Sequence, residues 1–532
     1  MDSVTRHILD LSRRGLLRGA TAMAALAATR PAFAQRVAPM PVFQSDPFPL
    51  GVASGDPWPD GVVIWTRLSQ DPLGDGGLPP EALELRWEVA EDEGFTRLAG
   101  RGTVLARPEL NYSVRVEVTG LRPAATYHYR FIAGGVASPV GRTRTAPAVN
   151  TRPAQMRFVN AGCQHYEQGL FTAWRHVAAE PDLDFVFHYG DYIYEGPANR
   201  ERSGNFPAIR SHNSPAVETL DAYRRRYALY QLDADLRAAH HAHPFLVSFD
   251  DHEVDNNWAA AVSARVGVSP ADFALLKAAA FQAWYEAMPL RRAQMPNGPD
   301  IIAYRGIDWG TLASISVLDT RGFRDDQPCG DRVKPVCEEV SNPAAHVLGP
   351  AQEGWLFGRL AQAEAVWSIL AQQVMMMRRD VGGADGDDQP RYDMDKWDAY
   401  PAARTRLLNH VRQARVPNLA VLTGDIHTAW AGTLRPDYDR EGPAVGVEFV
   451  STSMSSAGDG REIWAGPQRA LDRNPHIAFF NGRRGYTLIE ADERRMETRF
   501  RAVPYVSRPG APLVDRARFM VEAGRPELIR LG

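Results

Sequence analysis

Several features that mark common protein classes are missing from this sequence of 532 residues. It has no GxGxxG or GxxxxGK[ST] pattern, which argues against dinucleotide binding and against a phosphate-binding P-loop. No GxSxG motif accompanies Ser453 or Ser455, so serine hydrolysis is not indicated. Lysine and arginine are dispersed and the formal net charge is -4, so nothing points to nucleic acid or an anionic membrane surface as a partner.

Long hydrophobic runs are also missing, apart from one apolar stretch near the N-terminus. Arg13 and Arg14 precede a mildly apolar, alanine-rich run at residues 19–29, and residues 32–34 (AFA) give the small-x-small pattern of a cleavage site. A short helix with chance arginines is the alternative. We interpret residues 1–34 as a twin-arginine signal, whose export machinery carries folded proteins. The mature chain is then expected to be soluble, periplasmic or secreted, and not an integral membrane protein.

Cysteine is rare as well, with three in the chain. Cys329 and Cys337 lie eight positions apart in a polar loop and could close a small disulfide ring, which suits an exported protein. Cys163 is left over, and an odd cysteine in an exported protein calls for another explanation.

The pattern along the chain changes at a proline-containing linker near residues 145–153. Before it, residues 35–150 show short alternating runs typical of a small β-sandwich domain, fibronectin-III-like in its last part, with the Tyr127 hydroxyl bonded to nearby backbone. After it, strand-like and helical runs alternate over residues 151–532, which predicts a layered α/β domain. The expected strands are 157–160, 185–189, 245–249, 314–318, 367–370 with 374–376, and 419–422, and the expected helices are 168–179, 217–229, 270–287, 352–365 and 402–414.

Four of the expected strands are followed directly by side chains that bind metals. Because parallel strands bring their carboxyl ends to one rim of a sheet, we expect these side chains to converge. One such strand end is explained equally well by an aspartate that caps the next helix, but four are not. In chain order they are Cys163, then Asp191 and Tyr194, then Asp251 with His252, and finally Asp425 and His427.

The donor types fall into two sets around Asp191, our candidate bridge between two ions. Cys163 thiolate, Tyr194 phenolate and His427 imidazole suit trivalent iron. Oxygen donors suit calcium, magnesium or manganese. Two metals about 3.5–4 Å apart can activate a water and hold both the attacking and the leaving oxygen of a phosphate ester. The oxygen donors of the second set are Asp251, Asn256, Asn257 and Asp425.

Two further residues are candidates for roles beside the metals. His252 is placed to donate a proton to a leaving oxygen, or alternatively to orient Asp251. Arg321 follows an expected strand and could reach a phosphate. Residues 511–532 are a candidate lid.

Nine motifs together resemble the alkaline phosphatase D family, a group similar in core design to purple acid phosphatases and other calcineurin-like metallophosphoesterases. They extend over almost the whole mature chain in the family's order, and GDYIYE together with DDHEVDNNW is highly specific. The motifs are GVASGDP (51–57), VIWTRL (63–68), CQ (163–164), GDYIYE (190–195), DDHEVDNNW (250–258), LDTR (318–321), AQQVMM (371–376), YPAAR (400–404) and TGDIH (423–427).

The resemblance implies a metallophosphoesterase catalytic domain over residues 151–532, behind the β-sandwich domain. It implies an Fe(3+) ion held by Cys163, Asp191, Tyr194 and His427. It further implies a Ca(2+) ion held by Asp191, Asp251 and Asp425, with Asn256 or Asn257 as possible further ligands.

The expected function is exported, metal-dependent hydrolysis of phosphomonoesters and phosphodiesters by attack of a metal-bound hydroxide. Two alternatives stay open at this point. One is a phospholipase D-like diesterase acting on lipid head groups with the same metals. The other is a non-enzymatic, metal-dependent surface-binding protein that uses the β-sandwich as an adhesion module.

Overall fold

The computed structural model describes residues 36–199, 201–203, 205–383, 387–440 and 442–532, so the predicted export signal lies outside the described residues. The strands are β1 (Val52–Trp58), β2 (Gly61–Arg67), β3 (Leu83–Ala90), β4 (Leu98–Ala106), β5 (Ser113–Thr119), β6 (Thr126–Ala133), β7 (Val136–Ala137), β8 (Gly141–Arg144), β9 (Met156–Ala161), β10 (Phe185–His188), β11 (Arg202–Ser203), β12 (Phe206–Pro207), β13 (Pro244–Val247), β14 (Arg305–Trp309), β15 (Ala313–Val317), β16 (Val333–Pro335), β17 (Trp367–Ala371), β18 (Arg391–Asp393), β19 (Leu419–Thr423), β20 (Ala429–Leu434), β21 (Gly446–Val450), β22 (Gly460–Arg461), β23 (Ile477–Ala491), β24 (Arg495–Val503), β25 (Val514–Glu522) and β26 (Arg525–Arg530). The α-helices are α1 (Thr172–Ala178), α2 (Leu220–Gln231), α3 (Ala234–Ala242), α4 (Pro270–Ala287), α5 (Gly349–Ala361), α6 (Pro401–Ala414) and α7 (Ala465–Arg473). Single 3-10 turns occur at Pro108–Leu110, Arg292–Gln294, Pro328–Gly330, Glu338–Ser341 and Trp397–Ala399.

Two mixed sheets make up the larger part of the molecule and share strand β23. The first sheet runs β5-β2-β1-β13-β10-β9-β23-β24-β25-β26, and β1, β13, β10 and β9 are parallel. The second runs β14-β15-β17-β19-β21-β20-β23, with β15, β17, β19 and β21 parallel. The start of β23 pairs with β20 and its end pairs with β9, so one long strand joins the two sheets.

The layers follow from which faces of these elements are apolar. Side chains such as Phe158 and Phe187 of the first sheet and Ile369 and Phe449 of the second form one buried core between the sheets. Helices α1 to α4 cover the outer face of the first sheet, and α5 to α7 cover that of the second. The predicted layered α/β fold is therefore confirmed as a helix–sheet–sheet–helix sandwich.

Helix α4 shows how local sequence sets these elements. Its bounds are those predicted, because Ser269 accepts the backbone N–H of Asp272 at its start and Pro270 occupies the first turn. Its side chains are buried on nearly every face from Phe273 onward, as expected of a helix deep in a large protein.

The N-terminal region is all-β, as predicted, and is also tied to the larger sheets. Strands β3, β4, β6, β7 and β8 form a small sheet that packs on β1, β2 and β5 around its own apolar core. The Tyr127 hydroxyl accepts the backbone N–H of Arg122 at 2.8 Å, as expected. Strand β1 pairs in parallel with β13, so this region extends the first sheet rather than standing apart from it.

Two expectations about local structure are wrong. Residues 374–376 form no strand, because the N–H groups of Met376 and Met377 donate to the Glu448 carboxylate instead of a neighbouring strand. The candidate lid at residues 511–532 contains β25 and β26, which close the edge of the first sheet. None of the helices within the described residues is both long and apolar enough to cross a membrane.

Candidate metal centre

The loops that follow β9, β10, β13 and β19 meet at one rim of the two sheets. Close backbone approach makes this possible: a Cβ on Gly190 would lie 2.4 Å from the Asp250 amide nitrogen, and one on Gly424 would lie 2.2 Å from the Tyr189 ring. Gly190 also has a φ of +128°, which side-chain-bearing residues rarely adopt. These glycines therefore let the four loops come together.

Four of the predicted ligands leave their strands in a left-handed backbone conformation. Positive φ values occur at Cys163 (53°), Asp191 (55°), Asp425 (66°) and His427 (57°). Each such residue costs about 1–3 kcal/mol, which the surrounding packing must offset. The strain is concentrated at residues that point reactive atoms toward one another.

Cys163, Asp191, Tyr194 and His427 form the first group of donors. Ligand atoms of Cys163, Asp191 and His427 lie within 4.8 Å of one another. Cys163 Sγ lies 3.3 Å from Asp191 Oδ2, and the Tyr194 hydroxyl lies 2.8 Å from the same oxygen and 3.1 Å from His427 Nε2. The structure thus brings together the whole set predicted for iron.

The electrostatics of this first group favour a bound cation. Burial, then neighbouring acids such as Asp191, raise the pKa of both the Cys163 thiol and the Tyr194 phenol well above their usual values. Burial and the nearby Arg484 cation lower the pKa of His427 to about 3, which keeps its imidazole neutral. Asp191 Oδ1 is buried without a hydrogen-bond partner among the described residues. A polyvalent cation would displace the protons and satisfy this oxygen, so the donor set fits a metal.

A second group contains mainly carboxylates. Ligand oxygens of Asp250, Asp251 and Asp425 lie within 4.8 Å of one another, and Asp191, Asp251 and His252 form an overlapping group. Two cationic side chains reach these acids: Lys396 Nζ contacts Asp425 Oδ2, and Arg321 lies among them. The second site fits a hard cation with oxygen ligands, at a position where some of the negative charge is already neutralised.

Arg321 corrects one prediction. Its side chain is fully buried, with Nε 2.5 Å from Asp250 Oδ1, Nη1 2.8 Å from Asp395 Oδ1 and Nη2 3.2 Å from Asp425 Oδ1. It has no accessible surface to offer a phosphate. Its guanidinium instead fixes the positions of the carboxylates around it.

The two predicted asparagines differ in their placement. Asn257 donates its backbone N–H to Asp251 Oδ2 at 2.7 Å, and its side-chain amide donates to Asp331 Oδ2 at 2.9 Å. Asn256 is exposed, and its backbone N–H donates to Glu195 Oε1 at 3.1 Å. Asn257 is therefore the better placed of the two beside the second group.

A second loop, which contacts Asn257 through Gln327 and Asp331, contains the disulfide. Cys329 and Cys337 are joined with a Cα–Cα distance of 6.0 Å, and Asp331 lies inside the ring that they close. Gln327, just before the ring, donates to the Asn257 carbonyl at 2.6 Å. The disulfide thus supports a loop that contacts the centre.

His252 lies beside both groups of donors. Its Nδ1 is 2.7 Å from Glu195 Oε2, and its ring centroid is 4.1 Å from that of Tyr194. Burial alone would lower the pKa of His252, but the carboxylates of Glu195, Asp251 and Asp191 raise it well above its usual value. Asp251 is held by the backbone N–H of His252 and not by its ring. Nε2 has no hydrogen-bond partner among the described residues, so the ring is available for proton transfer.

Sequence reasoning missed three residues that organise the centre. The Glu253 carboxylate accepts backbone N–H groups of Asp191, Tyr192 and Asp250 and ties two loops together. Glu195 holds His252, and Lys396 pairs with Asp425. Glu195 and Glu253 lie within the motifs GDYIYE and DDHEVDNNW, and this position was the sequence signal that could have identified them. Lys396 gave none beyond its place in an acidic stretch.

Two family models match the chain. The model described as PhoD-like phosphatase matches residues 158–500, and the one described as PhoD-like phosphatase, N-terminal domain, matches residues 32–147. The chain belongs to the PhoD-like phosphatase family. Its sequence is similar to alkaline phosphatase D of Bacillus subtilis (strain 168), with 45% identity over 464 residues that cover 87% of this chain and 78% of that protein.

A solved structure agrees with this membership of the PhoD-like family. The structure of PhoD has a TM-score of 0.89 and 45% sequence identity to this chain, covering 92% of this chain and 93% of that one. The resemblance inferred from the motifs is confirmed. The chain is a phosphate-ester hydrolase.

Proposed function

We propose that the chain is an exported, metal-dependent phosphoesterase that hydrolyses phosphomonoesters and phosphodiesters. The observation that carries the proposal is the convergence of a thiol, a phenol, an imidazole and a carboxylate, with ligand atoms of Cys163, Asp191 and His427 within 4.8 Å, in a phosphatase fold. In this proposal Fe(3+) is held by Cys163, Asp191, Tyr194 and His427.

Ca(2+) is proposed for the second group, held by Asp191, Asp251 and Asp425 with help from Asn257. Lys396 and Arg321 support this assignment in part, because their positive charges already compensate some of the acidic charge, so that a divalent ion can balance the remainder. When bound, the two metals would supply Lewis-acid activation of the phosphate ester and of water.

The protein's own side chains would orient and protonate the substrate. His252 Nε2 would donate a proton to the leaving oxygen, while Glu195 holds the opposite ring nitrogen. Arg321 and Glu253 would keep the carboxylate loops in place, so that the reacting groups need little reorganisation.

Export through the twin-arginine route remains part of the proposal and is supported by Arg13, Arg14 and the alanine-rich run that follows. A route for folded proteins is compatible with metals that are acquired before export. Replacing both arginines with lysine is expected to retain the uncleaved precursor inside the cell. The N-terminus of the exported wild type is expected near Gln35.

The decisive experiment combines elemental analysis with hydrolysis of p-nitrophenyl phosphate and bis-p-nitrophenyl phosphate. Asp191→Ala is expected to remove both metal and activity, because Asp191 belongs to both groups of donors. Asp184→Asn is the matched control: it alters a buried aspartate at the opposite end of β10, where the carboxylate accepts the Arg157 N–H at 2.8 Å. Full activity in Asp191→Ala, or zinc without iron in the wild type, would refute the proposed site.

A further inference from the structure

A pocket of about 580 Å³ lies directly beside His427. Its volume is in the range of small-molecule sites. Ile426 and His427 line one side of it, and Phe206 and Trp464 line others. Since His427 also belongs to the first donor group, the pocket adjoins the proposed site of phosphate chemistry at this residue.

Glycines leave the space that the aromatic side chains of this pocket occupy. A Cβ on Gly482 would lie 2.5 Å from the Trp464 ring, so only glycine allows that ring to lie there, and Phe480 packs against it with centroids 5.2 Å apart. Trp464 nevertheless remains 41% exposed. Phe206 lies over Gly458, whose added Cβ would approach that ring to 3.2 Å. Two aromatic rings therefore line a space that is not filled by the protein's own core.

Two of the charged side chains that line the pocket already make hydrogen bonds within the protein. Arg484 donates to the carbonyls of His427 and Gly458, and Asp459 accepts the backbone N–H groups of Val506 and Ser507. Arg461 is different. Its guanidinium is exposed and makes neither an ion pair nor a hydrogen bond with any of the residues that the structure describes.

We propose that this pocket binds the organic group of the phosphate-ester substrate, and that this group carries a flat ring and a second negative charge, as in a nucleotide. Trp464 and Phe206 offer surfaces on which a base can stack, and Arg461 offers a cation for the additional phosphate. An acyl chain would gain nothing from Arg461. The inference rests on the proposed function, because it takes the scissile phosphate to lie at the donor group that contains His427.

The first test compares adenosine 5′-monophosphate with glycerol 3-phosphate, which has no ring. Trp464→Ala is expected to lower kcat/KM for the nucleotide relative to the glycerol ester by about tenfold, the scale of base stacking on an aromatic side chain. Trp464→Phe is expected to restore part of the ratio. Trp58→Ala is the control, since Trp58 is 48% exposed on β1 in the N-terminal region, and it is expected to leave the ratio unchanged.

The second test concerns charge. Arg461→Gln is expected to lower kcat/KM for adenosine 5′-diphosphate relative to the monophosphate by several-fold, the scale of one exposed ionic contact, and Arg461→Lys is expected to retain most of the preference. Equal losses on all substrates in either variant would overturn the inference. So would a Trp464→Ala variant that loses activity toward dihexanoyl phosphatidate but not toward the nucleotide, since the pocket would then hold acyl chains.

A binding measurement separates this inference from the proposed function. Titration calorimetry with adenosine, which has the ring but no phosphate ester to hydrolyse, is expected to show weaker binding to Trp464→Ala than to the wild type. Should that difference appear while Asp191→Ala keeps its activity, the pocket assignment would stand and the metal assignment would fall. An unchanged affinity in Trp464→Ala would refute the pocket assignment, whatever the metal content.

Discussion

Removing the Glu195 carboxylate, which is hydrogen-bonded to His252, should slow the reaction. The size of the decrease in rate can be estimated from the strength of this hydrogen bond. Glu195→Gln keeps the shape of the side chain and an oxygen that can accept the Asn256 N–H. It removes the negative charge 2.7 Å from Nδ1, in a pair whose side chains are only 18% and 9% exposed. A hydrogen bond of this kind to a charged group contributes about 1.5–3 kcal/mol, which corresponds to a decrease in kcat of roughly 10- to 150-fold.

The carboxylate matters because it stabilises the protonated ring. Bound cations would oppose the effect of Asp191 and Asp251 on the pKa of His252, whereas Glu195 is not among the proposed ligands and keeps its effect. The loss should therefore be large for an alkyl ester, whose leaving oxygen needs a proton. It should be small for p-nitrophenyl phosphate, whose leaving group departs as a stable anion.

The assay is a double-mutant cycle on both esters. If Glu195 acts through His252, then Glu195→Gln should have little further effect in a His252→Ala background. Additive losses in the double variant, or equal losses on the alkyl and nitrophenyl esters, would refute the reasoning. Unchanged iron and calcium contents in both single variants would exclude indirect loss of metal.

Three further perturbations test other parts of the structure. Cys163→Ser replaces a soft ligand with a harder, less acidic one, and iron per chain by elemental analysis should fall while calcium changes less; an unchanged iron content would contradict the ligand role. Burial raises the pKa of Glu448 from 4.5 to about 7. Its contribution to stability is therefore greatest below pH 4.5 and is lost as the pH rises to 7, by up to about 3 kcal/mol. Glu448→Gln should flatten this part of the profile of melting temperature against pH, and an identical profile would show that Glu448 does not titrate there. Replacing Cys329 and Cys337 with serine should lower the free energy of unfolding in urea by about 2–3 kcal/mol and weaken calcium retention through Asn257; unchanged calcium affinity would separate the loop from the centre.

The sequence predicted those parts of the structure that depend on local pattern. The apolar run of β10, buried at all four positions, identified a central parallel strand, and the serine cap and proline of α4 fixed its start. The metal-binding side chains that follow the strands could also be predicted, because the common direction of parallel strands brings their carboxyl ends to one rim of the sheet. These signals need no knowledge of distant partners.

What could not be predicted depends on contacts between distant segments. Arg321 looked like a free cation after a strand, and only the folded chain shows that it is enclosed by Asp250, Asp395 and Asp425. Residues 374–376 have the composition of a strand, but the backbone N–H groups of Met376 and Met377 donate to Glu448 far along the chain. Lys396 likewise acquires its role only through Asp425. Partners of this kind leave no periodic trace in sequence.

The pairing of β23 with β9 also constrains the order in which the protein is made and assembled. Strand β9, which leads to Cys163, has one edge covered by β10 soon after synthesis, but its other edge waits for Thr487–Ala491 near the end of translation. Contacts between such distant segments form late and make folding slow. A ribosome-bound or prematurely terminated chain therefore exposes an unpaired strand edge at the heart of the molecule, a template for aggregation. Because β9 is completed only when β23 pairs with it, the proposed metal ions would be acquired by a chain whose synthesis is nearly finished.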